Sequence, residues 1–195
     1  MDVMFALMLF RVLEPLPLPE PEADWTWTLG AFSEFFAEEG GVILMAIIGV
    51  ILIVIYWLQN NKLLGNLTRS NGPHVTFSIM QIVFLMFYAY SMALAENFDS
   101  PATRALQSLA LAGVGFAGFA GWRYATKDRR LLSTAISNEQ ADELKISVLP
   151  EPVTALITIP IAFVGPWAWE IAWLVMLPIG GWLRQRHAGR YAEDA

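Results

Sequence analysis

The spacing of its charges constrains this chain more than any other feature. Twenty-two residues without a charged side chain separate Glu39 from Lys62, 26 separate Arg69 from Glu96, 18 separate Arg104 from Arg123, and 18 separate Glu151 from Glu170. About 20 mostly apolar residues cross a bilayer as a helix, because a helix satisfies its own backbone polar groups where no water is available. Four such stretches in 195 residues predict an all-α, polytopic membrane bundle forming a single transmembrane domain. Composition points the same way: 56% of the residues are hydrophobic and mean hydropathy is +0.48, against roughly 45–50% apolar residues in soluble proteins. The chain has no cysteine, which excludes disulfides, thiol nucleophiles and Cys-ligated metals. A net charge of −6 argues against a nucleic-acid partner.

The apolar windows predict six spans, at about 2–18, 34–59, 74–95, 104–122, 149–165 and 167–183, with a linker at 123–148 and a tail at 184–195. The first is the weakest, since its apolar run Val3–Leu13 is interrupted by Arg11 and is too short to cross unaided. Gly165-Pro166 is a turn dipeptide that reverses the chain between the last two. Lys62 and Arg69, then Arg123, Lys127, Arg129, Arg130 and Lys145, then Arg184, Arg186 and Arg190 all fall in loops on one side, 10 of the 12 basic residues. The positive-inside rule makes that side cytoplasmic, with both termini inside. The opposite loops carry Glu14, Glu20, Glu22, Asp24, Glu34, Glu38, Glu39, Glu96, Asp99 and Glu170 against a single basic residue, Arg104. Trp57, Trp122 and Trp182 at the inner edge, and Trp25, Trp27, Trp167 and Trp169 at the outer, read as an aromatic belt. A signal peptide fits the first 20 residues poorly, because Met1-Asp2 gives no positive start and Leu16-Pro17-Leu18-Pro19 gives no small-residue cleavage site.

Inside the spans, Gly113, Ala117 and Gly121 recur every fourth residue with Gly115 and Gly118 beside them, a device for close helix–helix approach. Pro160 and Pro178 predict kinks in the fifth and sixth spans. Thr76, Ser78, Gln81, Tyr88, Tyr90 and Ser91 suggest that the third span packs inside the bundle. Glu34, Glu38 and Glu39 cluster at the outer mouth of the second span; with His74 and His187 as the only histidines, a di-metal carboxylate site lacks its Glu-x-x-His pairs, and an acidic rim is the better reading. Ser137-Asn138-Glu139-Gln140 is a capping-box pattern opening a short polar helix. Lys127, Arg129 and Arg130 fit contact with anionic lipid, and equally an ordinary positive-inside loop. No phosphate-binding glycine loop, nucleophile elbow or Ser/His/Asp set is present, so no enzymatic activity and no cofactor is expected.

Three segments carry a family resemblance. Tyr56-Trp57-Leu58-Gln59-Asn60-Asn61-Lys62-Leu63-Leu64 resembles the aromatic-Trp-x-Asn-His-His-Arg-x-Phe segment of the transmembrane protein 175 family, the bacterial and lysosomal potassium channels. Gly121-Trp122-Arg123-Tyr124-Ala125 resembles that family's Trp-Arg-Tyr-Ala, and Phe163-Val164-Gly165-Pro166-Trp167 its Phe-Val-Ser-Pro-Trp turn. Asp2-Val3-Met4-Phe5-Ala6-Leu7 is similar to the end of the family's Arg-x-x-x-Phe-Ser-Asp motif and the residues after it, as though the chain began inside the motif at Asp2. Ala31-Phe32-Ser33-Glu34 imitates the motif before the wrong span.

The resemblance implies a homotetramer conducting potassium or another monovalent cation, with the first helix lining the pore, in a cell membrane, most naturally a bacterial inner membrane. Laid on from Asp2, the pore stripe is Leu7, Arg11 and Glu14, with Phe10 where the family has threonine. Arg11 is the departure that matters, since a ring of arginine repels cations unless Glu14 pairs with it, within one subunit or between neighbours. The family's His-His pair is Asn60-Asn61 here, so the intracellular network of Asn60, Asn61, Trp122 and Arg123 departs from the pattern too. A non-conducting scaffold or regulatory subunit on the same fold is the alternative. A small-solute carrier has less to rest on, as no inverted repeat is visible.

Overall fold

Side-chain caps set the starts of four helices. The computed structural model describes residues 2–14, 16–17, 28–176 and 178–179. Helix α1 runs Asp2–Leu13. Helix α2, Leu29–Gly65, begins where Thr28 Oγ1 accepts from the Ala31 amide. Helix α3, Gly72–Asn97, is capped by Asn71, and α4, Pro101–Thr126, by a Ser100/Thr103 capping box. The expected box at Ser137 forms: its Oγ accepts from the Gln140 amide at 3.1 Å, Gln140 Oε1 accepts from the Ser137 amide at 3.0 Å, and α5 follows at Asn138–Ser147. Helix α6 spans Pro150–Ile161 and α7 residues 166–176.

The fold is an all-α membrane bundle. Among the described residues, four helical segments are long and apolar enough to cross a bilayer, Leu29–Gly65, Gly72–Ala95, Pro101–Arg129 and Asn138–Ile161, the last with its apolar part in α6. Large apolar side chains stay exposed along α2, α3 and α7, among them Ile47, Ile51, Leu58, Ile79, Val83, Met86, Ile171 and Val175, as a lipid-facing surface requires. At 37 residues, α2 outruns the expected 34–59 and reaches about 55 Å at 1.5 Å per residue. Helix continuation needs no apolar side chains, so it proceeds past both ends of the hydrophobic window until Thr28 and Asn66 stop it.

Helix α4 occupies the centre, with α3 along one side and α6 along another. Its small residues divide between these two neighbours. A Cβ on Gly113 would run into the Phe84 ring, one on Gly118 would lie 3.0 Å from Gln81, and one on Gly121 3.2 Å from Phe77, all on α3. A Cβ on Gly115 would lie 2.6 Å from Pro152 of α6. The close approach expected from the glycine spacing is therefore made to two helices at once.

Three expectations need correction. The polar residues of α3 do not place the whole helix inside: Gln81, Tyr88 and Ser91 are buried against the bundle, whereas Thr76 and Tyr90 are exposed. Thr76 Oγ1 donates to its own Gly72 carbonyl at 3.1 Å, which lets a hydroxyl face outward without an unmet hydrogen bond. Trp122 and Trp169 are not belt residues, being 1% and 3% exposed, and their indoles donate inward to the Ala141 carbonyl and to Ser108 Oγ. Trp167 is 69% exposed, as a belt residue has to be, and Trp25, Trp27 and Trp182 lie outside the described residues. Pro160 does not bend a longer helix; α6 ends one residue beyond it, and turn-like bonds from Phe163 to Pro160 and from Val164 to Ile161 carry the chain into the reversal at Gly165-Pro166.

Candidate functional site

Helix α1 has one partnered face and one bare one. Phe5 and Val12 are buried at 3% and 1% exposure, packed on α2 and α3, while Val3, Leu7 and Phe10 on the opposite side are 72%, 53% and 71% exposed. Of the expected stripe, Leu7 and Glu14 lie on the open side, and Arg11, at the edge of it, is half-buried. Arg11 and Glu14 form an ion pair within the chain, one helical turn apart.

Both ends of α1 are tied down. Asp2 sits in the first turn, where a carboxylate complements the helix dipole, and its Oδ1 accepts from Trp57 Nε1 of α2 at 2.9 Å. Val12 docks where α2 has Gly49, against which a Cβ would meet Val12 Cγ1 at 3.0 Å. Trp57→Phe is expected to remove the Asp2 bond, about 1 kcal/mol, and to lower the unfolding midpoint of the detergent-solubilised protein by about 2–4 °C. An unchanged midpoint would show that this bond does not hold α1.

The four residues of the expected intracellular network are not joined by hydrogen bonds. Asn60 is buried with its Nδ2 unpartnered among the described residues, Asn61 and Arg123 are exposed, and Trp122 is bonded to the backbone of α5. The polar ties of this region are instead Gln59 Nε2 donating to Glu151 Oε2 at 2.8 Å and Tyr56 Oη donating to the Leu111 carbonyl at 3.0 Å. Nothing in the sequence marks Gln59 and Glu151 as partners, since they stand 92 residues apart.

At the other end of the bundle, Arg104 is 8% exposed and paired with Asp99, at the edge of a cavity of about 350 Å³ shared with Met45, Gln107, Trp169 and Glu170. Nearby, Ser108 Oγ collects bonds from Thr158 Oγ1 and Trp169 Nε1, both at 2.9 Å, which fastens α4, α6 and α7 together. Glu34 and Glu38 are exposed near the start of α2, with Glu39 half-buried beside them. No group of three or more His, Asp or Glu side chains converges on a metal position among the described residues.

A chain with a bare-faced short helix beside a bundle organised on α4 has a solved counterpart. The crystal structure of a lysosomal potassium-selective channel TMEM175 homolog from Chamaesiphon minutus matches it with a TM-score of 0.72, over 94% of this chain and 93% of that one, at 13% identity. The two share a fold. No protein-family model matches the sequence, and no curated protein does. The resemblance read from the three motifs is thus supported at the level of the fold, an all-α membrane bundle.

Proposed function

We propose that four copies of this chain assemble around α1 into a passive, potassium-permeable channel of a cell membrane, most naturally a bacterial inner membrane. The observation that carries this reading is the bare apolar face of α1. A helix fastened at Asp2 and Val12 yet leaving Val3, Leu7 and Phe10 exposed gains a role when those residues face copies of themselves around an axis. Leu7 is the hydrophobic gate, a constriction that closes by narrowing or dewetting. Glu14 neutralises Arg11 within each subunit, which lowers the barrier an arginine ring sets against cations. The fold shared with a potassium-selective channel homolog supports the same reading.

Purified protein in liposomes is expected to carry potassium down its gradient, passively and without saturating at millimolar concentration. Flux no greater than that of empty liposomes sinks the proposal. A second reading, a non-conducting scaffold or regulatory subunit, is favoured by one observation, the 71% exposed Phe10 ring on the open face, with Arg11 half-buried at its edge. Flux that appears only in Arg11→Leu would decide for it.

A further inference from the structure

A cleft of about 550 Å³ lies between the C-terminal end of α4 and the side of α5. Its charged lining is Arg123, Lys127, Asp128, Arg129, Asp142 and Lys145. Both acids are engaged: Asp142 pairs with Lys145 at 2.6 Å, and Asp128 with Arg130 at 3.5 Å. Arg129 is held by neutral acceptors, donating to Asn138 Oδ1 at 2.6 Å and to the Ser133 and Ile136 carbonyls at 3.0 and 2.8 Å. None of these acceptors is a carboxylate, and among the described residues neither Arg129 nor the exposed side chains of Arg123 and Lys127 form an ion pair.

The backbone is shaped around the same place. Asp128 and Arg129 have φ of 56° and 52°, a left-handed conformation that side-chain-bearing residues seldom adopt. Such a conformation persists where its surroundings hold it, and here the three bonds of Arg129 do so. The opposite wall is fixed by Trp122, whose buried indole ties α4 to the Ala141 carbonyl of α5 at 3.0 Å. Three cations with no ion-pair partner among the described residues thus line a braced, open cleft at the end of a membrane helix, beside the Asp142–Lys145 pair and Asp128, on the side that the distribution of Lys and Arg assigns to the cytoplasm.

We propose that this cleft binds a phosphate-bearing headgroup, with Arg123 and Lys127 as the contacts free to reach it and Arg129 as the fixed positive wall. Arginine and lysine are the side chains that recognise phosphate oxygens, and the cytoplasmic leaflet is the anionic one. An ordinary positive-inside loop would attract anionic lipid diffusely, through any basic side chain on that surface. A built cleft does so only through its own. The inference needs the membrane orientation but does not depend on whether the protein conducts.

The test is the unfolding midpoint of the full chain in neutral detergent, titrated separately with phosphatidylglycerol, phosphatidylcholine and glycerol phosphate. Phosphatidylglycerol is expected to stabilise saturably and more strongly than phosphatidylcholine. Arg123→Gln and Lys127→Gln are each expected to raise the apparent Kd about fivefold, the effect of one surface cation on anionic lipid. Lys62→Gln, an exposed cation on the same side but outside the cleft, is expected to change it less than twofold. Saturable stabilisation by glycerol phosphate that is lost in the same two variants would support the site and make its ligand a soluble phosphate ester. Equal weakening in all three variants, or no preference for phosphatidylglycerol together with no effect of glycerol phosphate, overturns the proposal.

Discussion

Leu7→Asn is expected to raise potassium flux through reconstituted protein about tenfold, equivalent to removing about 1.4 kcal/mol from the barrier to permeation. Leu7 is 53% exposed on the side of α1 opposite the buried Phe5 and Val12, so the substitution opens no cavity in the bundle and leaves the folding of each subunit intact. If the bare face lines a pore, four leucines meet there and exclude water from the narrowest level. Four asparagines of similar size keep the width but hold water, so the dewetting part of the barrier goes. The matched control is Leu58→Asn on α2, which is 54% exposed and belongs to the lipid-facing surface. A rise with Leu7→Asn and none with Leu58→Asn is the expected pattern. Equal behaviour of the two variants would move the pore away from α1.

Gly115→Leu is expected to be the most damaging single substitution for folding, destabilising by about 3 kcal/mol, the upper part of the range for overpacking. The first atom of any side chain at 115 would already lie 2.6 Å from Cβ, 2.7 Å from Cγ and 2.9 Å from Cδ of Pro152. Pro152 is a rigid ring in the first turn of α6 and cannot swing aside, so α6 itself has to move off α4. That displacement also pulls Thr158 away from Ser108, the bond that fastens the far end of the same helix pair. Gly40→Ala and Gly41→Ala provide the contrast, because a Cβ there meets nothing within 4 Å; in a helix interior they are expected to be neutral or stabilising by about 0.5–1 kcal/mol. Detergent unfolding midpoints and the yield of monodisperse protein measure both. A Gly115→Leu protein as stable as the parent would mean that α4 and α6 do not touch as closely as the geometry states.

Helix existence and helix ends were readable to different degrees, for definite reasons. The capping box at Ser137 is a local signal, carried by residues three apart, and it forms as expected. That Val3, Leu7 and Phe10 share a side of α1 is also local, but that this side and not the one with Phe5 and Val12 stays open is decided by packing on α2 and α3. Trp122 and Trp169 went the other way. A tryptophan near the end of a span satisfies the belt rule, yet its indole also satisfies a buried acceptor, and only the positions of Ala141 and Ser108 decide which. Arg104 reads from the sequence as the lone basic residue of the outer loops, whereas in the fold it is nearly buried and paired with Asp99.

The charges alone determined that this chain is a membrane bundle and located its first three long apolar helices, because an unpaired charge in hydrocarbon is costly wherever it occurs and therefore prints itself on the linear order of residues; the last charge-free stretch is divided by the turn at Gly165. The glycine spacing likewise determined that α4 is approached closely. Tertiary structure decided which helix makes the approach, which polar groups of α3 turn inward, that Gln59 meets Glu151, and that Arg123, Lys127 and Arg129 share a cleft. In water, a helix shows its inner face by being apolar there. Lipid is as apolar as a protein core, so a membrane helix is apolar all round, and its inner face is fixed by steric fit and by hydrogen bonds between residues far apart in the chain.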